Sequence, residues 1–167
     1  MVNVEEQLDL ALQLRKENNL LESNEILVKL AEQDPQNAYI NYQCAWSFDC
    51  LGEEGQAVPY YEKAIQGNLN ESDLQNAYLG LGSTFRALGE YEKSKAVLCE
   101  AMKVFPNNEA LQVFYAMTLY NLNEHSSAME LLLKCITKTS RNSNMNVQKK
   151  RLIVTANWCV NMVRTLS

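Results

Sequence analysis

The 167-residue chain has little of what punctuates β structure, with six glycines and three prolines. That scarcity argues against a turn-rich sandwich and against a collagen-like chain. Histidine occurs once, at His125, and the five cysteines (Cys44, Cys50, Cys99, Cys135, Cys159) form no C-x-x-C pair. Neither a disulfide framework nor a zinc site is therefore expected. No apolar run approaches the ~20 residues that a membrane span needs. The opening MVNVEEQLDL is acidic and lacks the basic stretch and apolar run of a secretory signal. These absences predict reduced thiols in a cytoplasm, with no membrane partner. H-E-x-x-H, a calcium loop and G-x-S-x-G are also missing. Gly80-Leu81-Gly82 lies in a helical pattern with no strand before it, so it is not a phosphate loop. With no catalytic constellation, the expectation is a protein that is not an enzyme and needs no cofactor and no metal.

Acidic residues disappear after Glu130. Residues 131–167 carry seven basic side chains and no acid, whereas residues 1–130 carry eight basic and twenty acidic ones. Two ends of opposite sign bear on association. The trio Lys149-Lys150-Arg151 is one short cluster without interleaved aromatics, so no nucleic-acid partner is expected.

What the chain does have is a period. Asn18, Gly52, Gly89 and Asn123 are spaced by 34, 37 and 34 residues, and Pro35 and Pro106 by 71. Gly and Asn tolerate the left-handed conformation that ends a helix. Small residues recur at Ala11, Ala45, Gly82 and Ala116, and again at Ser23, Ala57, Ser94 and Ala128. Large ones follow the second set at Leu27, Tyr61, Leu98 and Leu132. Small facing large at fixed places is how stacked helices interdigitate. The extra three residues of the middle interval fit an insertion near Asn70–Leu74. The pattern predicts helices over 4–17, 20–33, 37–51, 53–67, 71–88, 90–104, 107–122, 124–138 and about 145–165. Asn70 with Asp73, and Asn107 with Glu109, read as helix starts with a cap and an acid in the first turn. Pro59 is expected to bend its helix or to push its start later.

The run Tyr78-Leu79-Gly80-Leu81-Gly82, Leu88-Gly89-Glu90-Tyr91, Ala101 and Phe105-Pro106 resembles the tetratricopeptide repeat (TPR) family, whose 34-residue unit is a helix–turn–helix. LGSTFRALGEY with VFYAMTLYNL is also similar to small stand-alone bacterial TPR proteins. The chain departs from the family at Ser94, where Ala is usual, and repeat 4 lacks the final Pro. The resemblance implies an all-α, right-handed superhelix in one domain, 1–167. Its repeats fall at about 4–37, 38–71, 75–108 and 109–142, and a terminal helix at 145–165 caps the stack. In that last segment Leu152, Ala156, Cys159, Val163 and Leu166 form one stripe, while Ile153, Val154, Trp158, Val160 and Met162 lie outside it.

In the family the first helix of each unit lines an inner groove. Its inward places are Leu8, Leu12 and Arg15; Tyr39, Tyr42, Trp46 and Asp49; Asn76, Leu79, Ser83 and Arg86; and Val113, Phe114, Met117 and Tyr120. Aromatics with an Arg are enriched at protein interfaces. The resemblance thus implies a protein-interaction scaffold that holds a peptide or protein segment against Tyr39, Tyr42, Trp46, Leu79, Arg86, Phe114, Met117 and Tyr120. Asp49 is expected to meet a basic ligand group or to pair with Arg86. The places of the family's terminal-carboxylate clamp hold Leu8, Leu12 and Gln43, so that clamp is missing. A second expectation is self-association, with the terminal helix supplying the core of a homodimer.

Overall fold

The computed structural model describes residues 3–140. Among them the chain forms eight helices and no strand: α1 Val4–Lys16, α2 Leu20–Gln33, α3 Ala38–Leu51, α4 Glu54–Gln66, α5 Glu71–Ala87, α6 Tyr91–Val104, α7 Glu109–Asn121 and α8 His125–Thr139. The helix expected at 145–165 lies outside the described residues.

The periodic markers all take the conformation their spacing predicts. Asn18, Gly52, Gly89 and Asn123 have φ of 66°, 73°, 77° and 63°. At each of them two hydrogen bonds close the helix end. The marker's own N–H donates three residues back, to the carbonyls of Arg15, Asp49, Arg86 and Tyr120. The next N–H donates five back, to the carbonyls of Leu14, Phe48, Phe85 and Leu119. This is the Schellman pattern, which satisfies carbonyls that a helix end would otherwise leave open. Leu14, Phe48, Phe85 and Leu119 are all buried, so each turn is pinned by the core beneath it.

The starts of α1, α3, α5 and α7 are held by asparagine. Asn3 forms a reciprocal capping box with Glu6. Asn37 accepts from the Ile40 N–H, and Asn70 from the Asp73 N–H at 2.9 Å. The sequence expectation of a cap at Asn107 is corrected by one residue, because Asn108 is the residue that accepts from the Leu111 N–H. The insertion near Asn70–Leu74 is absorbed as helix: α5 has 17 residues where α3 has 14. Pro59 neither stops α4 nor delays its start, which lies at Glu54. The bond that Pro59 fails to donate would have gone to Gly55, and both residues are exposed, so water can take the open carbonyl.

The chain divides into two compact units, Met1–Glu90 and Tyr91–Ser167. In the first, consecutive helices from α1 to α5 pack on one another and α3 also touches α5. In the second, α7 packs on both α6 and α8. The small places of the period are buried without exception: Ala11, Ala45, Gly82 and Ala116 in the first helices, Ser23, Ala57, Ser94 and Ala128 in the second. Leu27, Tyr61 and Leu98 are buried as their large partners, while Leu132 is partly buried against the Ala116–Leu119–Ala128 cluster. The serines that replace alanine keep their hydroxyls satisfied. Ser23 Oγ donates to the Ala11 carbonyl at 2.7 Å, and Ser94 Oγ lies 2.9 Å from Thr118 Oγ1. A buried hydroxyl without such a bond would cost about 1–3 kcal/mol.

Candidate functional site

The site is built on the first helices of the helix pairs. In the unit 1–90, α3 is flanked by α2, α4 and α5, so nine of its fourteen residues are buried. Its open side carries Trp46, 43% exposed, and Tyr39, 36% exposed. Tyr42, one helical step from each, is only 6% exposed. Its ring is 6.2 Å from Trp46 and stacked, and 6.3 Å from Tyr39 and tilted. Tyr42 therefore fixes the other two rings rather than presenting its own surface. Burial holds its phenol above the usual range, with the Asp73 charge adding to the effect, while a hydrogen bond with Asn76 of α5 opposes it.

Arg15 of α1 completes this face. Its guanidinium lies over the Trp46 ring, 3.9 Å from the centroid. One nitrogen donates to Gln43 Oε1 at 2.5 Å and another to the Gln43 carbonyl at 3.4 Å. Sequence reasoning placed Arg15 inward but left it out of the binding set. The signal that would have included it is positional. Arg15, Asp49, Arg86 and Tyr120 share one place in the 34–37–34 period, each supplying the same turn carbonyl.

Asp49 looks inward rather than out. Its Oδ2 accepts from the Tyr61 hydroxyl at 2.7 Å, and Thr84 Oγ1 of α5 is 3.0 Å from Oδ1. The expected partner Arg86 is thus replaced by two neutral donors. Burial pushes the Asp49 carboxyl above the usual aspartate range, although both hydrogen bonds act the other way. Leu79 and Arg86 of α5 are both partly buried, and the neighbouring Gly80 receives the Tyr61 ring.

In the unit 91–167, α7 carries the remaining residues. Met117 is 37% and Tyr120 62% exposed, while Phe114 is partly buried. The Tyr120 ring centroid lies 4.5 Å from that of His125, the first residue of α8. His125 is exposed there, at a helix start beside a turn. Among the described residues no group of three or more His, Cys, Asp or Glu side chains is placed to hold a metal ion.

Residues 38–146 match the protein family described as Tetratrico peptide repeat. The chain belongs to that family. A curated relative, Superkiller protein 3 of Saccharomyces cerevisiae, is 22% identical over 109 residues; the match covers 61% of this chain and 7% of that protein. Solved structures of MamA share the fold. MamA 41-end from Desulfovibrio magneticus RS-1 superposes with a TM-score of 0.73 at 16% identity, covering 98% of this chain and 94% of that one. MamA MSR-1 C2 gives 0.71 at 20% identity over 80% and 75% of the two chains. A TPR chain is in general terms a protein-interaction scaffold. No helix among the described residues is long and apolar enough to cross a membrane.

Proposed function

We propose that this TPR protein binds an extended or helical segment of a protein partner along the faces of its first helices and performs no chemistry. In the unit 1–90 the contacts would be Tyr39, Trp46, Leu79 and Arg86, with the buried Tyr42 holding the first two in place, and in the unit 91–167 Phe114, Met117 and Tyr120. The observation that carries the reading is the aromatic row of α3. Trp46 is large, 43% exposed, and held in place by the Tyr42 ring and the Arg15 guanidinium. Rigid aromatics give wide contact area at little ordering entropy. Cys44, Cys50, Cys99 and Cys135 are free thiols, which suits a reducing cytoplasm.

The test is capture of partners from native cells by the tagged full chain, then titration of one captured partner. Trp46→Ala and Tyr120→Ala should each weaken that partner by ~1–4 kcal/mol with helicity intact. Binding unchanged in both variants would move the site off the first helices.

A second reading, homodimerisation, is favoured by charge. Residues 1–90 hold five basic and fifteen acidic side chains, and residues 91–167 ten and five. A two-fold pairing would bring opposite ends together twice. Light scattering after size exclusion, with and without residues 145–167, tests it; equal masses for both forms exclude that segment as the interface.

A further inference from the structure

Among the described residues Arg15 is a cation without an anion. Of the guanidinium's five N–H groups two are used, both on Gln43, and neither acceptor carries charge. Its electrostatic neighbours are Cys50, Tyr42, Tyr39 and Tyr61, with no carboxylate among them. The side chain is nonetheless half-buried and held over the Trp46 ring. Removing a charge from water without pairing it is unfavourable, and stacking with two bonds to one glutamine offsets only part of that. Three lysines, all more exposed to water, are handled differently. Lys95, Lys134 and Lys138 each meet a glutamate at the surface. A rigid, partly desolvated guanidinium fork beside an open indole is a pre-organised receptor for a planar anion.

Resting on the scaffold reading above, we propose that Arg15, positioned by Gln43 and Trp46, is a recognition site for one carboxylate of the bound segment, with an aromatic residue next to it that packs on Trp46 and Tyr39. This is not the family's terminal-carboxylate clamp, whose places hold Leu8 and Leu12 here. The surroundings narrow the ligand further. The five basic side chains of residues 1–90 are outnumbered by fifteen acidic ones. An acid-rich partner would be repelled on approach, whereas a basic one would be drawn in. The fitting segment therefore carries a single carboxylate among aromatic and basic residues.

Three synthetic peptides test this against the full chain, observed through the Arg15 Nε–H and Trp46 Nε1–H signals by NMR. They are Ac-Lys-Phe-Glu-Phe-Lys-NH2, its Gln analogue, and Ac-Lys-Phe-Gln-Phe with a free C-terminal carboxylate. At least one carboxylate peptide should move both signals and bind about tenfold tighter than the all-amide Gln peptide, as a charge-assisted bond implies. Which of the two does so tells a side-chain carboxylate from a chain terminus. Arg15→Met should abolish the preference, and Arg15→Lys, which keeps charge but not the fork, should keep part of it. Equal binding of all three peptides, a preference that survives in Arg15→Met, or no response at about 1 mM overturns the proposal. If Trp46→Ala still releases the captured partner in that event, the scaffold reading stands and the carboxylate site alone falls.

Discussion

In the unit 1–90, α4 meets α5 through a phenol. Tyr61 lies against Gly80 and its hydroxyl donates to Asp49, whose other oxygen faces Thr84. In the unit 91–167, the same step from second helix to first is made by α6 and α7, and the corresponding places hold Leu98 and Phe114. Thr118 stands where Thr84 does, but its partner is Ser94, which replaces Ala57. An ammonium–carboxylate pair, Lys95 of α6 with Glu124 of the turn before α8 at 2.6 Å, lies at the surface. One repeat thus puts its bulk on the second helix and its polarity in a half-buried carboxylate. The other puts bulk on the first helix and uses small hydroxyls with a solvated ion pair. The TPR frame fixes where side chains meet and leaves open which partner is large and which is charged.

The sharpest way to break that contrast is at Gly80. A Cβ there would lie 2.4 Å from Tyr61 Cζ, and Tyr61 cannot withdraw without leaving Asp49. Overpacking typically costs ~1–3 kcal/mol and at times more. We expect Gly80→Val to lose about 3 kcal/mol in urea unfolding, at the upper end of that range. Tyr61→Leu, which copies the Leu98 place, should recover part of it. Additive losses in the double variant would mean that the two residues are not the coupled pair described here.

Next in size is the half-buried carboxylate. Asp49→Ala strips the acceptor from the Tyr61 hydroxyl, while Thr84 keeps the Gly80 carbonyl, and should cost ~1–3 kcal/mol; Asp49→Asn keeps an acceptor and should cost less. The two also differ in pH dependence. Burial raises the Asp49 pKa above the ordinary 3.8. Between that value and the raised one, the folded chain holds a proton that the unfolded chain has released. Stability contributed by this group therefore falls as pH rises through that window and returns as pH falls. Asp49→Asn should flatten this part of the profile; an unchanged profile would assign it to another group.

A backbone variant sharpens the comparison by acting where the repeats are alike. Gly89 has φ of 77° and nothing within 4 Å of an added Cβ, so Gly89→Val tests conformation alone. It should destabilise by about 1–2 kcal/mol, the cost of a left-handed L-residue. A smaller loss at this site than at Gly80 separates backbone strain from overpacking.

These cases also mark what was legible beforehand. The left-handed turns were, because only Gly and Asn sit cheaply at such a φ and they recur on the period. The helix bounds followed within a residue or two. The cap after Pro106 was misplaced because Asn107 and Asn108 are both able caps, and only the entry of the chain into α7 chooses between them. Arg15 on Trp46 was not legible as a pair, since 31 residues separate them and nothing in α1 shows which way its last turn faces. Nor was Asp49 with Tyr61 and Thr84. A carboxylate and an arginine on neighbouring inward places look like an ion pair in sequence, while buried neutral donors on two other helices are invisible there.

The smallest effect is expected at Lys95. Its bond with Glu124 is short, but both side chains are open to water, 32% and 42% exposed, so that Coulomb attraction is screened and two long chains must be held still. Lys95→Met should therefore change stability by less than ~0.5 kcal/mol at 0.15 M salt. The glutamate raises the Lys95 pKa above the ordinary 10.5. The contribution is thus complete below that value and disappears as pH rises through the raised one. Ser94→Ala, a few ångströms away in the buried layer, sets the scale. It leaves Thr118 with its Phe114 carbonyl acceptor, so it too should be mild, but insensitive to salt and to pH. If the lysine variant loses more than the serine one, and loses it equally in 1 M salt, then the ammonium is not acting as a charge. The stem of Lys95 would then be covering apolar surface between α6 and α7, and the contrast with Tyr61 would be one of size alone.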